Sequence, residues 1–249
     1  MQLFSPKWNN TSELGKFGNS AQKEILVAAA ADLRFAMDSL VVLFRKDNPV
    51  LTIKVVYGSS GNFYEQISNG APFDLFFSAD MEYPRKLEEQ RKTLTPVQQY
   101  GTGHLVLWSK KLDPSLAKMN SLLDNSVTRI AIANPAHAPY GKRALESLQY
   151  YKLYDKAKAR LVMGENISQA AQFLKSGAAD IGIIALSLAL SPAMQNEGGK
   201  YWLIPAEAYQ PLQQGYVMLE HARGNAGADK FREFIGSAKA APVMKYFGL

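Results

Sequence analysis

The feature that most constrains this chain is an alternation, met twice along its length, between short apolar runs and stripes at helical spacing. Glu24-Ile25-Leu26-Val27-Ala28 has the length and composition of a buried strand. Leu33, Ala36, Met37, Leu40, Val41 and Phe44 then form one helical face, which Pro49 ends. Ile53–Tyr57 reads as a second strand. Gly58-Ser59-Ser60-Gly61 opens a short helix through Phe63 and Ile67, closed by Gly70 and Pro72, and Asp74–Ser78 is a third strand. A βαβαβ order predicts a parallel sheet with right-handed crossovers.

The pattern then begins again. Leu105–Trp108 and Ile130–Ala133 read as strands, followed by a helix from about Gly141 carrying Ala144, Leu145, Leu148 and Tyr151. Leu161–Met163 leads into a helix with Ile167, Ala170, Ala171 and Leu174 on one face. Gly177 stops it before the strand Ile181–Ile184. Tyr216–Leu219 is a late strand, with helices around Phe231–Ile235 and Val243–Phe247. The expectation is two α/β lobes, each a mainly parallel sheet flanked by helices. Residues 24–101 with 215–249 make the first lobe and 102–214 the second, with hinge crossings near 100–103 and 213–215. Residues 1–23 are polar, aperiodic and without the apolar core of a signal peptide. They read as a flexible leader, an expression remnant or the tail left after signal removal.

With 249 residues, 47% hydrophobic and 20% charged, the chain has the composition of a soluble globular protein that can bury one large core or two. The absence of cysteine removes disulfides, thiolate chemistry and Cys-based zinc sites, and suits an oxidising compartment. The net charge of +6 comes from scattered Lys and Arg, without a basic stripe interleaved with aromatics, which argues against a nucleic-acid partner. Such a field helps to draw in a small anion, although a solvated surface explains it equally well.

Catalytic constellations are scarce. His104, His137 and His221 lack metal-ligand spacing, and no phosphate-binding glycine loop, nucleophile elbow or HExxH pattern occurs. Asp80 is expected to cap the helix that follows, with Glu82 in its first turn. A hydrolase built on Ser60 and one of the histidines would need a base within reach of the hydroxyl and a third group to orient it. Nothing in the spacing suggests either.

What remains is a set of strand-to-helix turns: Ala30-Ala31-Asp32-Leu33, Gly58–Asn62, Asn134–Gly141 and Gly164–Ser168. Each exposes backbone N–H groups without a helical partner, and the helix dipole favours an anion there. In open α/β sheets, ligands sit beyond the carboxyl ends of strands, where these turns lie. Singly, each has a plain reading: a tight turn at Gly58–Gly61, a helix start at Pro139-Tyr140, a core residue at Ile167. Together, two in each lobe, they point to a cleft that surrounds one small anion.

These stretches resemble the periplasmic molybdate-binding protein family of ABC transporters. The resemblance is carried by Gly70-Ala71-Pro72-Phe73-Asp74-Leu75-Phe76-Phe77-Ser78-Ala79-Asp80 and the Ala-rich opening at Val27 to Met37. Ser59-Ser60, Asn134-Pro135 with Pro139-Tyr140-Gly141, Glu165-Asn166-Ile167 and Lys245-Tyr246-Phe247-Gly248 add to it, in order from about Glu24 to Leu249. It implies a type II periplasmic-binding fold and a monomeric, periplasmic or extracytoplasmic receptor. Such a receptor would bind molybdate or tungstate, hand it to a membrane permease and need no cofactor. Carried over by position, Ser60 would donate through hydroxyl and backbone, and Tyr140 and Ile167 through backbone N–H groups. Asp32 stands where the family commonly has Ser or Thr. Either it caps its helix and only its backbone faces the ligand, or it accepts a proton from a protonated oxyanion. Ala185 stands where many relatives have a tyrosine, and the Tyr140 hydroxyl is a candidate replacement. The same fold serving phosphate, sulfate or a small organic acid is the alternative.

Overall fold

In the computed structural model, residues 24–249 are described; the leader expected over residues 1–23 lies outside them. The strands are β1 Glu24–Ala30, β2 Thr52–Gly58, β3 Leu75–Ser78, β4 Gln98–Gly103, β5 Leu105–Ser109, β6 Ile130–Ala133, β7 Leu161–Gly164, β8 Ile181–Ala185, β9 Lys200–Leu203 and β10 Leu212–Met218. They form two five-stranded sheets, in the orders β2-β1-β3-β10-β4 and β7-β6-β8-β5-β9. The chain passes from the first sheet to the second between Gly103 and Leu105, and returns between Leu203 and Leu212.

Each sheet is mixed rather than mainly parallel. β1 pairs parallel with β2 and β3, and β6 with β7 and β8. β10, however, runs antiparallel to β3 and β4, and β5 antiparallel to β8 and β9. The parallel pairs come from βαβ crossovers, whereas β5 and β10 enter their sheets directly from the crossing segments, without a crossover helix to set their direction. The sequence reading missed β4 and β9, and placed the late strand at Tyr216–Leu219. The Gln-Gln-Tyr-Gly-Thr-Gly of β4 carries no apolar alternation, and the pairing of Leu212 with Gly103 fixes it as a strand.

The central strands are buried on both faces, as covered sheets require: Val27, Ala28, Ala29, Ile130, Ala131 and Ile132 are all fully buried. The Arg34–Asp47 helix buries Ala36, Met37, Leu40 and Phe44 of the stripe read from the sequence; Val41 is half-buried and Leu33 lies in the turn before the helix. The C-terminal helices Ala226–Ile235 and Ala241–Tyr246 pack on the same core, and Phe44 meets Phe231 edge-on at 5.1 Å. A buried Leu or Phe contributes about 1.5–3 kcal/mol by leaving water, so this face dominates the helix's stability. Gly177, at φ 78°, ends the Ile167–Ser176 helix in the left-handed conformation glycine adopts without strain.

Candidate functional site: a small cavity between helix starts

β1, β2, β6 and β7 all end on the same cleft, and the turns that follow them converge. Ala30, Ala31 and Asp32, then Gly58, Ser59 and Ser60, line it from one lobe, together with Ala79 after β3. Ala138, Pro139, Tyr140, Asn166 and Ile167 line it from the other. The space between them is small, with room for about one water-sized sphere. Drug-sized ligands need roughly 300–1,000 Å³, so this space fits nothing larger than a small ion. No lysine or arginine lines it.

Three helices begin here: Ser60–Ser68, Pro139–Tyr150 and Ile167–Ser176. Among the described residues, the N–H groups of Ser60, Tyr140 and Ile167 donate to no backbone carbonyl, as first-turn donors ordinarily do not. The Asn166 side chain caps the third helix by accepting from Gln169 N–H at 3.1 Å, which leaves Ile167 N–H to the cavity. The Ala79 N–H donates to Ser60 Oγ at 2.9 Å. A hydroxyl has one proton and two lone pairs, so this contact leaves the Ser60 proton available as a donor.

Asp32 does not cap a helix. It lies inside the short 3₁₀ turn Ala31–Leu33, which Ala30 precedes, and no side-chain cap bond forms. Its carboxylate turns instead to the strand that returns between the lobes. Gln214 Nε2 donates to Asp32 Oδ2 at 2.7 Å and the Tyr140 hydroxyl donates to the same oxygen at 3.2 Å. Gln214 Nε2 also lies 3.1 Å from that hydroxyl. Asp32 is buried, and among the described residues its Oδ1 finds no partner. Burial pushes its carboxyl up to about 6, against the bonds from Gln214 and Tyr140 that lower it. The Tyr140 hydroxyl, suggested by the sequence as a ligand donor, is engaged by these two partners. Burial first, and then the Asp32 charge, hold its phenol far above the usual range. Ala185, at the end of β8, is fully buried.

Asp80 accepts the Tyr83 N–H at 3.2 Å and the Ser78 hydroxyl at 3.1 Å. That is the capping contact expected of it, made one residue ahead of Met81, which directly precedes the Glu82–Glu89 helix. The histidines do not make a base for Ser60. His137 contacts Ser59 and His221 contacts Asp74.

Several cross-lobe bonds were not legible in the sequence. Ser168 Oγ donates to Ala31 O at 2.8 Å and Ser187 Oγ to Asp32 O at 2.9 Å. Gly61 N–H donates to His137 O at 2.9 Å, and Asn62 donates to Glu165. Gln214 stands in β10 as one polar residue beside Gln213, and nothing in its spacing marks it as buried.

The profile of the bacterial extracellular solute-binding protein family matches residues 25–249. The chain is 36% identical over 226 residues to the molybdate-binding protein ModA of Azotobacter vinelandii, covering 90% of this chain and 89% of that one. It is 33% identical to the molybdate-binding protein ModA of Rhodobacter capsulatus over 231 residues, covering 92% and 89%. The solved periplasmic molybdate-binding protein of A. vinelandii superposes with a TM-score of 0.83 at 34% identity, covering 90% of this chain and 97% of that one. The sulfate-binding protein SubI of Mycobacterium tuberculosis superposes at 0.72 with 13% identity, a likeness of fold alone. The chain belongs to the family of bacterial extracellular solute-binding proteins: it is a two-lobed receptor that binds a solute, not an enzyme that transforms one.

Proposed function

We propose that this protein is the periplasmic receptor of an ABC importer, and that it captures molybdate or tungstate between its lobes and delivers it, as a monomer, to the membrane permease. The observation that carries this reading is the small cavity lined by the starts of helices from both lobes and by no cationic side chain. Neutral donors at fixed positions suit a dianion that must be gripped and later released. Each hydrogen bond to a charged partner contributes roughly 1.5–3 kcal/mol. The names borne by the A. vinelandii and R. capsulatus relatives support molybdate as the solute.

In this reading Ser60 donates through its hydroxyl and backbone, Tyr140 and Ile167 donate backbone N–H groups, and Asp32 contributes its backbone. The lobes are residues 24–103 with 212–249, and residues 104–211, with the hinge crossings just after β4 and just before β10. Calorimetric titration with molybdate, tungstate, sulfate and phosphate tests the proposal. Tight one-to-one binding of the first two and little response to the others is expected, and preference for another anion would overturn it.

A second reading rests on Asp32, a carboxyl that lines the cavity and titrates near pH 6. Such a group can accept a hydrogen bond from an oxyanion that still carries a proton, as phosphate does. Phosphate binding that weakens in Asp32→Asn would favour this reading.

A further inference from the structure

Ser59 holds the cap position of the Ser60–Ser68 helix in extended backbone, φ −81° and ψ 146°, yet its side chain caps nothing in its own lobe. A serine there ordinarily accepts from the N–H two or three residues on, a contact whose loss costs about 1 kcal/mol. Here His137, from the opposite lobe, takes over both halves of that bond. Its carbonyl accepts the Gly61 N–H at 2.9 Å, and its ring Nδ1 lies 2.9 Å from Ser59 Oγ. The fit is tight, for a Cβ on Gly61 would stand 2.7 Å from His137 O and 2.8 Å from the Tyr83 hydroxyl. On the far side of the ring, Nε2 lies 3.8 Å from Glu165 Oε2, and Glu165 also accepts from Asn62 of the first lobe. The helix cap is thus completed only where the lobes meet.

Ser59 also lines the cavity. A hydroxyl has a single proton. If that proton goes to Nδ1, the lone pairs of Oγ face the cavity and repel an anion. If Nδ1 carries the proton and donates, the Ser59 proton is free for the cavity. This is the arrangement Ala79 N–H imposes on Ser60 at 2.9 Å. We propose that His137 is a positioning residue of the oxyanion site, completing the Ser59 helix cap from the opposite lobe so that Ser59 becomes a further donor to the anion. The inference rests on the oxyanion reading above.

The two ring nitrogens can be separated by substitution. An Asn amide at position 137 reaches the place of Nδ1, whereas a Gln amide reaches that of Nε2. Molybdate titrations are made on the full chain carrying Ser59→Ala, His137→Asn, His137→Gln and the Ser59→Ala/His137→Gln pair, with melting curves to confirm folding. Ser59→Ala and His137→Gln should each weaken binding about tenfold, His137→Asn should stay within about threefold, and the pair should be no weaker than Ser59→Ala alone. Equal losses in Asn and Gln, additive losses in the pair, or an unchanged Ser59→Ala would overturn the inference while the unsubstituted protein still binds. No binding by the unsubstituted protein would overturn the oxyanion reading, and this inference with it.

Discussion

Tyr140 and Asp32, 108 positions apart in the chain, meet across the cleft, the phenol donating to the buried carboxylate at 3.2 Å while Gln214 donates to the same oxygen at 2.7 Å. The contact ties the second lobe to the first turn of the first lobe and to β10. It also places an ionisable group where no cation balances it, since its partners are two neutral donors.

That imbalance has a sign. The Asp32 carboxyl titrates near 6 in the folded protein and near 4 when unfolded, so the native state binds the extra proton. The folded state is favoured below about pH 4, and this advantage is lost as pH rises through 6. Asp32→Asn keeps an acceptor for Gln214 and Tyr140 and removes the buried charge. It should stabilise the ligand-free protein by about 2 kcal/mol at pH 8 and by much less at pH 4.5. Denaturant unfolding at the two values checks it; equal effects at both would show that the carboxyl carries no such penalty.

Tyr140→Phe and Asp32→Ala should not act independently. If the phenol serves the carboxylate, removing either partner already breaks the bond, and the double variant should show a coupling of about 1 kcal/mol in a denaturation cycle at pH 8. Additive effects would mean that the hydroxyl does its work elsewhere.

Ser60→Ala removes a hydroxyl whose proton is left free by the Ala79 N–H. Loss of one hydrogen bond to a charged ligand should weaken molybdate binding roughly 10- to 150-fold, and the ligand-free protein should lose about 1–3 kcal/mol as the Ala79 N–H is left without its acceptor. Calorimetry reads the first and a melting curve the second.

Gly61→Ala tests closure without touching a donor. The added methyl meets the backbone carbonyl of His137, which cannot yield as a flexible side-chain end would. Affinity should fall roughly tenfold or more, through faster release, and the ligand-free protein should lose about 1–3 kcal/mol of stability, since the two lobes already meet here. Stopped-flow dissociation and a melting curve give the two readouts.

The two α/β units and the four turns that line the cleft were legible because they rest on local signals: apolar runs of strand length, stripes at helical spacing, and small or hydroxyl residues just before helix starts. Gly177 and Pro139 marked a helix end and a helix start for reasons confined to one or two residues. The antiparallel direction of β5 and β10 was not legible, because strand direction follows from how the chain crosses between lobes rather than from its composition. Asp32 was misread as a possible cap for a related reason. A carboxylate before a helix usually serves that helix, and only the approach of Tyr140 and Gln214 from distant parts of the chain draws it away. His137 and Ser59 are the same kind of case, as their contact exists only between lobes.

The most direct test of the neutral-donor cavity is diffraction from crystals grown with molybdate, locating the metal by its anomalous scattering. The account predicts one anion among the four turns, within hydrogen-bond reach of the Ser60 hydroxyl and the N–H groups of Asp32, Ser60, Tyr140 and Ile167, with no lysine or arginine touching it. An anion held instead in the neighbouring interlobe groove beside Arg34 and Lys175 would contradict it, and would make the receptor a charge-pairing one.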